Sequence, residues 1–324
     1  MMAWSKIILT ILCSALSLPV SSWGFYVHRL INRYAVFLLP PEMLVLYKPH
    51  IDFLSEHAVD PDKRRYILPQ EGARHYIDID RYGAAPYPLL PRDWKEAVVR
   101  YSEDTLQAYG IVPWWIEVMM RRLTAAFKER NQARILKLSA EIGHYISDAH
   151  VPLHASSNHN GQLTNQQGIH GLWESRGPEL LAEKEWDFLV GKADYIKNTS
   201  QYVWSRVLES ATAADSVLRL EKKLSERFPA DQKYAFENRN GAVIKQYSSR
   251  YVIMYDHALD NMAERRFRQS VYATASYWYT AWVNAGQPDL STLSLAGFSD
   301  AETKEFEELN TLWNQERIKG RSCD

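Results

Sequence analysis

The stretch Glu141–His154, EIGHYISDAHVPLH, sets the reading of this chain. His144 and Asp148 are four residues apart on a predicted helix, so their side chains stack on one face a turn from each other. Ala140 lies one turn earlier on that face, and its small side chain leaves room for an approaching group. The helix carries a separate apolar stripe of Ile135, Leu138, Ile142 and Tyr145, so the His144 face is not needed for packing. Pro152 ends the helix, and His154 follows in the turn.

Working outward, Trp114 to His150 reads as two helices joined near Arg130 and Asn131. Leu259, Met262, Ala263, Phe267, Val271, Ala275, Trp278 and Trp282 recur at the spacing of one helix face, which should end at Gly286 with Pro288 beyond. Alternating strand patterns are scarce, so the expected class is all-α. The segments Pro61 to Pro91 and His154 to Gly171 are loop-like by composition, and the charged tail after Ser299 is expected to be loosely held. No repeat or linker divides the chain, so residues 23–324 read as one domain.

The first 22 residues carry Lys6, an apolar run from Ile7 to Leu18, and small residues at Val20 and Ser22. This is the pattern of a secretory signal cleaved before Trp23. The run is shorter than the roughly 20 residues a bilayer span needs. Export to the periplasm or the medium is therefore expected. Cys13 would leave with that segment, and Cys323 alone cannot form an internal disulfide. With 38 basic and 39 acidic side chains, the chain has no overall field to attract nucleic acid or anionic lipid. Affinity for a phosphate must come from a local site.

A second pair, His170 and Glu174 in IHGLWES, repeats the four-residue spacing. Two His-x-x-x-carboxylate pairs close in sequence suggest zinc, which takes imidazole nitrogen and carboxylate oxygen in a closed inner shell.

With these residues in view, the chain resembles the superfamily of bacterial zinc-dependent phospholipases C and fungal and plant single-strand-specific nucleases. The likeness runs from Trp23 to about Glu174. The motif of His, three residues, Asp, five residues, His matches His144, Asp148 and His154, the last within PLH. The downstream motif matches His170 and Glu174.

The resemblance implies a multi-helix domain with a trinuclear zinc cleft and three Zn2+ as cofactors. Trp23 would be the mature terminus and bind metal through its amine and carbonyl, with His28 beside it. HYID at His75 to Asp78 matches a motif preceded by a metal-binding aspartate; Asp60 is favoured for that role over Asp62. One metal would then use Asp60, His75, His144 and Asp148, and a second Trp23 and His28, with Asp148 bridging. His154, His170 and Glu174 would hold the third.

Asp60 and Lys63 are the expected catalytic residues, Lys63 matching a basic position near the scissile phosphate in nuclease members. Tyr76 and Asp78 match residues that grip a base there. The implied activity is hydrolysis of phosphate esters by metal-activated water, phospholipase C-like in the first instance. A single-strand-specific nuclease or 3′-nucleotidase is the close alternative, and an inactive exported zinc-binding protein the non-enzymatic one. The partner expected is the substrate alone, phospholipid or single-stranded nucleic acid, with no membrane insertion and no obligate protein partner. His50, His57, His159 and His257 have no partner at ligand spacing, and His150 reads as a supporting or exposed residue.

Overall fold

The computed structural model describes residues 24–239, 242–293 and 298–313. Trp23 lies outside them. The chain is mainly helical. In order come α1 Gly24–Val36, α2 Pro41–Tyr47, α3 Ile51–Glu56, α4 Asp60–Arg64, α5 Trp94–Tyr101, α6 Glu103–Tyr109, α7 Val112–Lys128 and α8 Gln132–Asp148. After these lie α9 Ile169–Gly171, which runs into a π-helical turn at Leu172–Arg176, then α10 Gly177–Glu185 and α11 Thr199–Arg227. A hairpin of β1 Tyr234–Arg239 and β2 Ala242–Tyr247 interrupts the helices. The chain closes with α12 Ser249–Ala258, α13 Met262–Asn284 and α14 Asp300–Trp313. Among the described residues, no helix is long and apolar enough to cross a membrane.

Helix α8 is the spine. Asn131 caps its start, accepting from the Arg134 amide, after Arg130 has turned the chain with a φ of 55°. Every residue from Ser139 to Asp148 is buried. Trp278 of α13 is fully buried and donates its indole N–H to the Ser139 carbonyl. From α1, Asn32 donates to the carbonyls of Ala140 and Leu54, tying α8 to α1 and α3. Gly143 is what permits this approach. A Cβ there would lie 2.0 Å from Asn32 Oδ1, so no larger side chain fits without moving a helix.

Two expectations about helices change. The apolar face read from Leu259 onward does not belong to one helix, because Asp260 and Asn261 both adopt left-handed φ values and separate α12 from α13. Leu259 still enters the core, which is why the stripe reads as continuous. Residues 300–313, which read as a tail, form α14. Phe306 meets Phe53 and His57, Leu309 is buried, and Lys137 pairs with Glu305.

The hairpin pairs Tyr234 with Tyr247, Phe236 with Lys245 and Asn238 with Val243 on one face. It is fastened to the π-helical turn by Arg176, which donates to Glu237 at 2.5 Å and to the Tyr247 carbonyl at 3.3 Å.

Candidate metal centre

Five imidazoles converge beside the C-terminal end of α8, and four of them are held the same way. His144 Nδ1 donates to the Ala58 carbonyl at 2.8 Å, His154 Nδ1 to the His75 carbonyl at 2.7 Å, and His170 Nδ1 to the His159 carbonyl at 3.1 Å. His28 is held through a side chain. Ser147 gives its hydroxyl proton to the His144 carbonyl at 2.7 Å, so it accepts from His28 Nδ1 at 2.6 Å. In each ring Nδ1 carries a proton, so Nε2 is the nitrogen turned inward and available to a metal ion.

His75 is turned the other way. Its Nδ1 lies 3.0 Å from both Asp148 Oδ2 and His144 Nε2, while Nε2 faces Glu71 Oε1 at 3.7 Å. The loop carrying it is fixed by the Ile77 amide, which donates to the His154 carbonyl at 2.9 Å. Gly110 presses against the same loop, and a Cβ there would lie 2.2 Å from the Tyr76 carbonyl.

The carboxylates complete three buried clusters that could hold metal ions: His28, His144 and Asp148; Asp62, His75 and His144; His154, His170 and Glu174. Asp148 sends Oδ2 to His144 at 3.2 Å and Oδ1 towards His28 at 3.6 Å. Glu174 Oε2 lies 2.6 Å from His170 and 3.4 Å from His154, and its Oε1 is 3.9 Å from His28. Ligand atoms about 2.0–2.1 Å from a tetrahedral ion sit about 3.3–3.5 Å apart. The spacings here bracket that value.

The donor chemistry fits a cation on a further ground. His154 Nε2 and His170 Nε2 face each other at 3.3 Å although both rings donate through Nδ1. Two lone pairs in that position repel unless a proton or a metal ion lies between them, so the site favours a cation of either kind.

The buried carboxylates make the clusters favour positive charge, which imidazole protons or a metal ion can supply. Burial works against the charge of Asp148, but His144 and His154 hold its carboxyl well below the usual range, and His154 and His170 do the same for Glu174. Burial and the neighbouring His144 lower His28 to about 4, which keeps it neutral and ready to ligate. Burial also opposes charge on His144, but Asp148 and Asp62 outweigh it and raise the ring to about 9, so a metal ion bound at its Nε2 would displace a proton.

The sequence-expected residues divide. His28, His75, His144, Asp148, His154, His170 and Glu174 come together. Trp23 lies outside the described residues, though its neighbour Gly24 abuts the site, with a Cβ position 3.0 Å from Glu174 Oε1. Asp60 does not join the cluster. Its carboxylate accepts from His57 at 2.6 Å and from Lys63 at 3.1 Å, while Asp62 Oδ1 lies 3.7 Å from His75 and 3.8 Å from His144. The choice of Asp60 over Asp62 is therefore reversed.

Lys63 is likewise not at the cluster. It is buried between Asp60 and Asn310 of α14, which accepts at 2.8 Å. Tyr76 and Asp78 are buried, with the Tyr76 hydroxyl donating to the Ala108 carbonyl at 3.3 Å and the Asp78 amide to the Tyr109 carbonyl at 2.7 Å. Neither lines the cleft beside the metal clusters. His150 is buried rather than exposed, its Nδ1 donating to the Ile146 carbonyl.

That cleft has a volume of about 430 Å³. Asp62, Asp148, His154, His170 and Glu174 line it, together with Arg65, Tyr234, Lys245 and Tyr247. The hairpin residues were not singled out by sequence, because two short strands far along the chain carry no motif. A search against protein-family models finds no match, and a search of curated proteins also finds none.

Proposed function

We propose that this protein is a zinc-dependent hydrolase of phosphate esters, acting on phosphodiesters in the manner of a phospholipase C. The observation that carries the reading is the convergence of five imidazoles and three carboxylates on three adjoining clusters, of which His154, His170 and the three carboxylates line a cleft that also has cationic side chains in its wall. Divalent ions held there would polarise a phosphoryl oxygen and bring the pKa of a water towards neutrality.

The protein's own groups have separable parts. Asp62, Asp148 and Glu174 supply three negative charges, fewer than three dications need, so the loaded site stays net positive and draws a phosphate. Arg65, 3.5 Å from Asp62, and the exposed Lys245 flank the path of the substrate's anionic oxygens. Arg176 is committed to Glu179 and Glu237 and holds the hairpin in place. No serine or cysteine nucleophile is required.

A nuclease reading stands second. It draws on Tyr234 and Tyr247 in the cleft wall, which offer aromatic surface to a base. Tyr76 and Asp78, buried away from the cleft, do not support it.

The test is turnover by the zinc-loaded protein of three probes: a nitrophenyl phosphodiester, a phosphatidylcholine analogue and single-stranded DNA. Cleavage of the first two is expected. Cleavage of DNA alone would move the assignment to the nuclease, and full metal occupancy with no turnover of any probe would leave a metal-binding protein without this activity.

A further inference from the structure

The β1–β2 hairpin borders the metal cleft and then runs past it. Lys245, Gln246 and Tyr247 of β2 and Tyr234 of β1 line the cleft. Nearer the turn, Phe236 and Val243 do not line it, and they are 74% and 70% exposed. These two side chains belong together. Phe236 faces Lys245 across the ladder and Asn238 faces Val243, so Phe236 and Val243 are diagonal neighbours on one face of the hairpin. Diagonal partners stand about 7–8 Å apart, within reach of an aromatic ring. The outer end of this face is therefore a joined apolar patch, with Lys245 and Tyr234 on its cleft side.

The patch is not needed to hold the hairpin, whose other face is fastened through Glu237 to Arg176. Lys245 is exposed, its ammonium 4.2 Å from the centre of the Tyr234 ring, and no carboxylate of a described residue pairs with it. Val243 stands two residues, about 7 Å, beyond Lys245 along β2. A segment that enters a lipid surface has this order: apolar side chains reach about 5–10 Å to the acyl boundary, while Tyr and Lys stay at the level of the phosphates. A water-soluble phosphodiester in the cleft would leave Phe236 and Val243 untouched.

We infer that the hairpin docks on the surface of a phospholipid bilayer, with Phe236 and Val243 inserted and Lys245 among the lipid phosphates, so that a head group is brought to the mouth of the metal cleft. What the cleft does with that lipid rests on the phosphodiesterase reading above; the docking rests on the hairpin alone. A bilayer surface complements this face in both respects, since it offers a layer of phosphate anions to the unpaired ammonium and apolar depth just beneath it to the patch. The cleft opens beside the same residues, so the docked surface and the metal clusters share one side of the hairpin.

The experiment is co-sedimentation of the metal-loaded full chain with vesicles of phosphatidylcholine and phosphatidylglycerol in equal parts, after brief incubation on ice. Wild type is compared with Phe236→Ser, with Phe236→Ser combined with Val243→Ser, and with Lys245→Gln. Each protein is also assayed on a soluble nitrophenyl phosphodiester and sedimented without lipid to find its oligomeric state. Wild type should pellet with the vesicles. The double variant should bind them at least about tenfold more weakly, with metal content and rate on the soluble diester equal to wild type, and Lys245→Gln about fivefold more weakly. Should the double variant unfold, Phe236→Ser alone decides. No pelleting of wild type at millimolar lipid, or pelleting undiminished in the variants, overturns the proposal. So does a wild-type dimer that the double variant dissociates, because the patch then belongs to a second copy of the chain. Vesicle binding that depends on the hairpin, in a protein that turns over no soluble diester, would remove the phosphodiesterase reading and leave the docking in place.

Discussion

His154 and His170 stack with ring centroids 5.1 Å apart and turn their Nε2 atoms to each other at 3.3 Å, with Glu174 reaching both. An arrangement of this kind is stable when a cation sits among the three donors. Zinc added to the metal-free protein should therefore raise its stability by about 2.7 kcal/mol at a hundredfold excess over the dissociation constant. His170→Ala should remove the contribution of this cluster and lower the bound-metal count. A melting curve indifferent to zinc in the wild type would show that the cluster holds no ion.

Asp60 and Asp62 differ by two positions and have opposite surroundings, so their amide variants should separate cleanly. Asp62→Asn should lower metal content, because its oxygen lies beside His75 and His144. Asp60→Asn should leave metal content unchanged and destabilise the fold by about 1–3 kcal/mol, since the amide removes the negative charge and one of the two oxygens that accept from Lys63 and His57. Elemental analysis and thermal unfolding of both proteins provide the comparison. The reverse pattern would return Asp60 to the site.

The contrast between these two aspartates also shows where sequence reasoning stops. His144 with Asp148, and His170 with Glu174, are legible because a spacing of four on a helix brings side chains together whatever else the fold does. Residues two apart on a helix point to nearly opposite sides. Which of Asp60 and Asp62 faces inward thus depends on how the 3-10 turn at His57–Val59 feeds α4, and composition does not encode that. The break at Asp260 and Asn261 was hidden for a related reason: Leu259 packs into the core from the preceding helix and continues the stripe. The supporting contacts of the site were less legible still. Ala58 and His159 act through backbone carbonyls, which any residue possesses, and Ser147 acts by standing between two histidines that are distant in sequence.

Glu71 is fully buried behind His75, 3.7 Å from its Nε2, and also takes bonds from Arg74 and the Tyr145 hydroxyl. Such a carboxylate orients a metal-binding imidazole and raises its basicity. Glu71→Gln keeps the shape and removes the charge, so metal affinity measured against a competing chelator should fall about 10–100-fold with little change in the helical circular dichroism spectrum. Affinity unchanged from wild type would make Glu71 a purely structural residue.

Gly143 joins fold and site. It lies one residue before His144, and the Cβ of an alanine there would stand 2.0 Å from Asn32 Oδ1 and 3.1 Å from Thr274 Cγ2. Asn32 cannot swing aside freely, because its amide nitrogen already bonds the Leu54 and Ala140 carbonyls. Gly143→Ala should then force α1 away from α8, at a cost of about 1–3 kcal/mol for overpacking. Because His28 rides on α1 and His144 on α8, with ring centroids 3.9 Å apart, the same displacement should open the cluster they share with Asp148. The variant should lose metal from that cluster while the one at His154, His170 and Glu174 keeps its ion. Metal titration followed by thermal unfolding would read both effects, and wild-type stability with full metal content would mean that the α1–α8 contact is softer than its geometry implies.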